Sequence, residues 1–401
     1  MSDCLQSPHH SSPNSLPFPD AAALAVSEQL ERRIRDEMEQ AGGAIPFDRF
    51  MELALYAPGL GYYVAGSHKF GEVGDFITAP EISPLFARCL ARSAQQLLAE
   101  IDGGTILEFG AGSGLMAADM LAELERLDAL PQRYLIMEVS PELQARQRET
   151  ITRRVPELSA RVEWLGHLPD SFSGLVVANE LLDAMPVHRF RMRSGRVEES
   201  FVAWDEAGFV ERFETAASPE LGSSIERIQA TNGELTEGYV SEVNLRLHGW
   251  IKALGAMMER GAVLLVDYGY PRSEFFHPQR TSGTLMCHYR HRVHPDPFRW
   301  VGLQDITAHV DFTAVAESGV AAGFELLGYT TQAHFLMASG LESLLAGSDP
   351  NDLVSHMELM QGVKRLTLPS EMGERFKVLG LGMDAGQRLS GFRLRDLRDR
   401  L

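Results

Sequence analysis

At 401 residues with 44% hydrophobic side chains, the chain is long enough to bury a large core, and its length allows two or three domains. A net charge of −18 disfavours non-specific binding to a phosphate backbone and so weighs against a nucleic-acid substrate. Cys4, Cys89 and Cys287 are too few and too scattered for a disulfide framework or a thiolate metal site, which suits a reducing, cytoplasmic compartment, and no apolar run approaches the roughly 20 residues of a membrane-spanning helix.

Met1–Asp20 is rich in Ser, Pro and His and holds neither Lys nor Arg. With no apolar h-region it reads as a disordered tail, with a boundary placed at residues 25/26, and as neither a signal nor a transit peptide. A helix is predicted over Ala21–Gln40, where Leu30, Ile34 and Met38 recur at spacings of four and Gly42-Gly43 ends the pattern. A second, short helix is predicted over Phe47–Leu55. Thr78-x-x-Glu81 reads as a capping box opening a further helix, with Pro80 in its first turn and Ile82, Leu85, Phe86, Cys89 and Leu90 as its apolar stripe. The segment Tyr62–Ser83 concentrates glycine, aromatic and acidic residues. It is expected to form a lid over a ligand, with Asp75, Phe76, Thr78 and Glu81 near that ligand.

Thr105-Ile-Leu-Glu-Phe-Gly-Ala-Gly-Ser-Gly-Leu115 is an apolar run broken by three alternating glycines before a helical pattern over Met116–Leu127. Gly110, Ala111, Gly112 and Gly114 let the backbone approach a ligand without Cβ obstruction, and the following helix offers free N–H groups to a carboxylate. Glu108, at the strand end, could face an amine. A dinucleotide turn would want its third glycine three positions after the second, where this chain has Leu115. Glu-x-Gly-x-Gly-x-Gly instead resembles the first motif of S-adenosylmethionine (SAM) methyltransferases. The next strand, Tyr134–Glu138, ends in a carboxylate 24 positions beyond Gly114, where it can accept both hydroxyls of a ribose.

From there strands and helices alternate, the pattern of a parallel sheet covered on both faces. Strands are expected at Ile106–Phe109, Leu135–Glu138, Arg161–Trp164, Leu175–Ala178, Val263–Asp267, Phe324–Thr330 and Phe376–Leu381. The expected fold is therefore α/β, a Rossmann-like seven-stranded sheet behind an N-terminal helical lid segment (26–100). The core (101–385) carries insertions at 187–238, 270–311 and 333–368, and 386–401 is taken as a tail. The first insertion is hairpin-like over Val187–Phe213, the second reads as a loop over Tyr270–Asp311, and the third as helical over Ala333–Leu368.

Taken together, Gly-Asp-Phe-Ile-Thr-Ala-Pro-Glu-Ile-Ser (74–83), Glu-Phe-Gly-Ala-Gly-Ser-Gly (108–114), Glu-Val-Ser-Pro (138–141), Asn-Glu-Leu-Leu-Asp-Ala-Met-Pro-Val-His (179–188), Asp-Tyr-Gly (267–269), Asp-Ile-Thr-Ala-His-Val-Asp-Phe (305–312) and Met-Gly-Glu-Arg-Phe-Lys-Val (372–378) resemble the MidA family. That resemblance spans about Ile45 to Gly382. It implies a class I methyltransferase fold and SAM as cofactor, with S-adenosylhomocysteine as its product. Mitochondrial members of the family are complex I assembly factors that symmetrically dimethylate an arginine of a complex I subunit. The resemblance leaves the acceptor of a bacterial member open.

Methyl transfer from a sulfonium is an in-line displacement, so the protein must chiefly hold the acceptor atom and remove a proton. Guanidinium is a poor nucleophile, with its charge delocalised and its pKa above about 12. Carboxylates bind its planar fork and draw charge away from the attacking nitrogen. Glu180, at the carboxyl end of the fourth strand, is the first candidate, with Asp183 three residues on and facing the same side. Neighbouring Asn179, with Val139 beside Glu138, is assigned to the cofactor, and the loop Gly166-His167-Leu168 to its adenine. His309 and Asp311, just before Phe312, are candidate proton acceptors. His288, His291 and His294 are interleaved with arginines and read as a loop surface, not as a metal site. The expected partner is a protein carrying an arginine. A catalytically weak SAM-binding assembly chaperone and a small-molecule methyltransferase stay open as alternatives.

Overall fold

The alternating pattern folds into a central, mostly parallel sheet. The computed structural model describes residues 16–65, 77–101, 104–216, 218–347, 352–385 and 389–401, so Asp75 and Phe76 lie outside the described residues. The core strands are β1 (Thr105–Phe109), β2 (Arg133–Met137), β3 (Val162–Leu165), β4 (Phe172–Asn179), β5 (Met258–Tyr270), β6 (Glu325–Thr331) and β7 (Phe376–Met383). They lie in the order 3-2-1-4-5-7-6, with β7 antiparallel to both its neighbours. All seven expected strands are present. A two-residue eighth, Val310–Asp311, pairs with the end of β5 at Gly269 and Tyr270, past the last β5 residue paired with β4.

β1 is buried at all five positions, as a strand covered on both faces must be. Alternate residues divide the core in two. Ile106, Tyr134, Leu175, Val177, Leu264 and Val266 face one apolar cluster, into which helices α4 (Pro84–Glu100) and α5 (Leu115–Arg126) pack. Leu107, Phe109, Leu135, Val176, Val263 and Leu265 face the other.

Helices α1 (Ala21–Gln40) and α2 (Phe47–Tyr56) lie where the periodicity puts them, and α1 begins inside the span bounded as a tail. Asp20 caps α1 by accepting from the Ala23 N–H at 2.8 Å. The predicted capping box is absent. The Thr78 side chain makes no cap bond to the four-residue helix α3 (Ala79–Ile82), and Ser83 is extended at φ −163° and accepts from Leu85 as the N-cap of α4. Pro84 is the cause: proline drives the residue before it out of the helical region, so the helix breaks there and restarts.

The hairpin-like insertion is a three-stranded meander, His188–Arg193, Arg196–Asp205 and Gly208–Thr215. Ala44–Pro46 from the N-terminal segment pairs with its middle strand, and Val240–Val243 pairs with its first strand. The N-terminal segment is thereby tied to the core by strand pairing. The insertion read as a loop over Tyr270–Asp311 carries a three-stranded antiparallel sheet, Met286–Tyr289, Arg292–His294 and Asp305–Thr307. The third insertion forms helices Gln332–Ala338, Leu341–Ala346 and Leu353–Thr367. The C-terminal residues 389–401 do not trail away, because Leu389 and Phe392 are buried and the Leu397 N–H donates to the Tyr329 carbonyl at 2.6 Å. No helix among the described residues is long and apolar enough to cross a membrane.

Near the N-terminal ends of β1, β4 and β5, glycines stand where a side chain would strike the neighbouring backbone. Gly174 there has φ +153°, and a Cβ on it would collide with the Thr105 backbone. Gly174→Ala is expected to destabilise the fold by more than about 2 kcal/mol, from strain and collision together. Gly208→Ala, at φ +119° with open space around it, should cost only about 1 kcal/mol. Denaturant unfolding of the two variants checks the order, and equal losses would contradict it.

Candidate cofactor and acceptor site

After β1 the chain turns through Gly110, Gly112 and Gly114 at φ 65°, 51° and 83°, conformations that glycine adopts without a Cβ penalty. Their surroundings differ. A Cβ on Gly112 would meet nothing within 4 Å, whereas one on Gly114 would press on the Gln147 backbone at 3.0 Å. Gly112 therefore borders open space, and Gly114 permits close packing of helix α6 (Pro141–Arg154). Gln147 ties the turn to the neighbouring strand ends, donating to the Gly112 carbonyl at 3.1 Å and to Glu138 Oε2 at 3.0 Å. Trp164 Nε1 in turn donates to Gln147 Oε1 at 2.8 Å. Glu138 is 7% exposed, accepts from the Ser140 N–H at 2.9 Å, and is pushed above the usual carboxylate range by burial.

A cavity of about 190 Å³ opens beside the glycine turn. From the sheet it is walled by Glu108, Gly110, Ala111, Gly112, Asn179, Glu180, Asp183 and Tyr268. The N-terminal segment contributes Tyr62, Tyr63, Thr78 and Pro80, and the three-stranded insertion contributes His288, Asp305 and Thr307. Thus the structure brings Glu108, the glycine turn, Thr78, Asn179, Glu180 and Asp183 together. Glu138, Val139, His167 and Leu168 are not in the cavity wall. They lie just past the adjoining ends of β2 and β3, with Val139 68% exposed. Glu81 is exposed and is not part of the wall.

Glu180 has φ 53°, a left-handed conformation that is strained for a residue with a Cβ. Its carboxylate accepts from Asn179 Nδ2 at 3.0 Å and from the Ala79 N–H at 3.3 Å, so α3 reaches across the cavity to hold it. Burial, and then the nearby Asp183, push the Glu180 carboxyl up to about 8. Burial pushes Asp183 to about 6 and Glu108, which accepts from Tyr134 Oη at 2.7 Å, to about 7. Beneath them Asp267 accepts from the backbone N–H groups of Leu182, Asp183 and Tyr268 at 2.9, 3.3 and 2.9 Å. It is pushed well above the usual range by burial and then by Asp183 and Glu180.

His309 and Asp311 stand apart from this group. The His309 ring lies edge-on to Tyr268 at 5.1 Å and lines a neighbouring cavity. Burial, and then the cations of Arg280, Lys377 and Arg375, depress it to about 4. Asp311 caps helix Phe312–Ala321 by accepting from Thr313 and Ala314 and pairs with Arg272 at 3.3 Å. Its role in the fold is thereby accounted for.

Sequence reasoning placed Tyr62 and Tyr63 in the segment expected over the ligand without singling them out, and missed Tyr268, His288, Asp305 and Thr307. Tyr63 Oη donates to both Asp305 oxygens at 3.0 and 3.1 Å, which joins two segments far apart in the chain. His288 corrects the loop-surface reading. It sits on a strand between buried Cys287 and Tyr289, and this alternation, Cys-His-Tyr, was the available signal. Among the described residues no group of His, Cys, Asp and Glu is placed to hold a metal ion.

A family model described as "Putative S-adenosyl-L-methionine-dependent methyltransferase" matches residues 85–330, more than half of the chain. The chain belongs to this family. Its backbone is similar to that of a Burkholderia thailandensis protein solved bound to S-adenosylhomocysteine, with a TM-score of 0.92 at 45% identity, covering 96% of this chain and 100% of that chain. A native crystal structure from the same organism has a TM-score of 0.89, also at 45% identity and with the same coverage. Among curated relatives, the mitochondrial protein arginine methyltransferase NDUFAF7 homolog of Drosophila melanogaster is 29% identical, covering 90% of this chain and 87% of its own length. The protein arginine methyltransferase NDUFAF7 of Homo sapiens is 27% identical, covering 84% and 80%.

The protein is a SAM-dependent methyltransferase, and its residues fit that cofactor. Gly112 leaves open a space that any side chain would enter, and Asn179 Oδ1 and Asp183 Oδ1 are buried acceptors without a hydrogen-bond partner. A ligand bearing N–H groups would satisfy them. Glu138→Ala is expected to weaken S-adenosylhomocysteine binding at least about tenfold, as loss of hydrogen bonds to a charged group would. Gly112→Val should weaken it further, by crowding the open space and straining a left-handed backbone. Calorimetry on the folded variants checks both, and unchanged affinity in Glu138→Ala would remove that residue from the site.

Proposed function

We propose that the protein methylates an arginine side chain of a protein acceptor, and take a subunit of a complex I type assembly, the acceptor of the mitochondrial members of the MidA family, as the first candidate. The observation that carries this reading is the charge of the cavity. Glu108, Glu180, Asp183 and Asp305 line it, and no lysine or arginine does among the described residues. Carboxylates buried at such cost call for a cationic occupant. A guanidinium suits two of them at once, since its planar fork donates several parallel hydrogen bonds where an ammonium is a point charge. The names of the curated relatives support the same acceptor class.

The cofactor supplies a methyl group activated on a sulfonium. Glu180, fixed by Asn179 and Ala79, and Asp183, fixed through the Asp267 contacts to its backbone, hold the acceptor. Their charge localises positive charge away from the attacking nitrogen and so raises its nucleophilicity. As the N–C bond forms, the proton leaving that nitrogen passes to one of these carboxylates. Tyr62, Tyr63 and Tyr268 enclose the reacting atoms and exclude water.

A pH dependence follows, with a definite sign. The cavity carboxyls are raised to about 6 for Asp183 and about 8 for Glu180, so ionisation grows as pH rises through that range, while guanidinium stays charged past about 12. The KM for an arginine acceptor should therefore fall as pH rises from 6 to 8; a KM that rises would contradict the assignment. Glu180→Gln keeps size and reach but deletes the charge. It should bind SAM as the wild type does and lose roughly a hundredfold in methyl transfer, read by mass spectrometry of labelled acceptor. Wild-type-like arginine methylation by that variant would sink the role of Glu180, and label found only on lysine, a carboxylate or a small molecule would sink the substrate class.

A further inference from the structure

A second cavity, larger at about 490 Å³, lies beside the first. None of the cofactor chemistry uses it. Its floor is apolar, formed by Leu182, Val187, Leu247, Phe275, Phe276 and Val310. Much of its remaining wall comes from the helices Pro219–Asn232 and Phe312–Ala321 and from the strand Val240–Val243, with Asn244, Leu245, His248, Arg272, His309 and Asp311 completing it, so insertion residues shape much of it. One layer of side chains divides the two cavities. Leu182 is the neighbour of Asp183, and His309 on the second cavity packs edge-on at 5.1 Å against Tyr268 on the first.

The charges around this cavity are unequal. Glu220, Glu242, Asp311 and Glu317 face Arg227 and Arg272, and Arg272 is already held by Asp311 at 3.3 Å and by Glu317 at 2.5 Å. Glu242 is 1% exposed, and its Oε1 is buried without a hydrogen-bond partner, the nearest cation being Arg189 Nε at 3.5 Å. Glu220 stands exposed. An apolar floor ringed by four carboxylates and two arginines, with Glu220 and Arg227 both exposed, lies one side chain away from the first cavity; its net negative charge matches a stretch of polypeptide with an apolar residue and a basic residue close to the methylated position.

We propose that this second cavity seats the segment of acceptor polypeptide flanking the methylated residue, with an apolar side chain on the floor and a basic one at the Glu220 rim. The proposal rests on the protein acceptor of the preceding reading, not on its being arginine. Selection of the acceptor would then lie in the insertions, while the cofactor site stays common to the sheet. A peptide held in this way lowers the cost of ordering the reacting side chain, so its loss appears in acceptor KM more than in cofactor affinity.

The test compares wild type, Ala314→Trp and Glu220→Lys. Ala314 lines this cavity from helix Phe312–Ala321 and is not in the wall of the first, so tryptophan there fills the space, and the cofactor affinity measured alongside reports any effect on the first cavity. Each protein is incubated with labelled SAM and a lysate of cells lacking the enzyme, and S-adenosylhomocysteine affinity and the unfolding midpoint are measured alongside. The expected result is polypeptide labelling reduced about tenfold or more in Ala314→Trp and severalfold in Glu220→Lys, with cofactor affinity unchanged in both. If Ala314→Trp does not fold, Glu220→Lys on the exposed rim decides alone. Wild-type labelling by the folded variants would overturn the proposal. So would a changed oligomeric state in Ala314→Trp, which would assign the cavity to a second copy of the chain, and so would label confined to small molecules. Reduced labelling in the variants on a residue other than arginine would uphold this proposal and reject the arginine reading by itself.

Discussion

The structure is organised around buried carboxylates for which the described residues supply no compensating cation. Glu108, Glu180 and Asp183 face one cavity at the carboxyl ends of β1 and β4, with Asp267 directly beneath at the end of β5. Isolated buried charge is so unfavourable that such groups take up protons instead, and the upward shifts of all four follow from burial. A fold retains such an arrangement at a net cost to its own stability, and a cationic ligand is what offsets that cost. The cofactor brings a sulfonium and an amine to this place, and the acceptor we propose brings a guanidinium.

The surrounding scaffold fixes these groups against their mutual repulsion. Asp267 accepts from the N–H groups of Leu182 and Asp183 to hold the turn that presents Asp183, and from that of its own neighbour Tyr268. Glu180 is held in a strained backbone by an amide from its own strand and a backbone N–H from α3. Strain of this kind persists only where neighbouring structure over-determines it. Here the neighbours come from three separate parts of the chain, the N-terminal segment, the sheet and the second insertion, so the cavity exists only in the assembled molecule.

That origin explains what could be read from sequence. The sheet was legible because β1, β4 and β5 are dense apolar runs, and the glycine turn was legible because the spacing of Gly110, Gly112 and Gly114 excludes a dinucleotide turn. Glu180, singled out by its place at the end of a predicted strand, and Asp183, by its spacing from Glu180, both line the cavity. Tyr63 and Asp305 were not singled out, since their bond spans 242 residues and no local pattern announces it. The histidines in 287–294 looked like a polar loop because their strands are only three and four residues long, too short for periodicity to stand out. The supposed capping box at Thr78 failed for a local reason that was visible: Pro84 forces Ser83 out of the helix and relocates the cap.

The central claim is that the cavity holds protonated carboxyls that ionise when a cationic acceptor enters. Calorimetry in buffers of different ionisation enthalpy measures this directly, with N-acetyl-arginine amide titrated at pH 7 into protein loaded with S-adenosylhomocysteine. With Glu180 at about 8 in the absence of acceptor, binding should release on the order of one proton per site, since a guanidinium stabilises the ionised form. Binding with no proton release, or with proton uptake, would contradict the account.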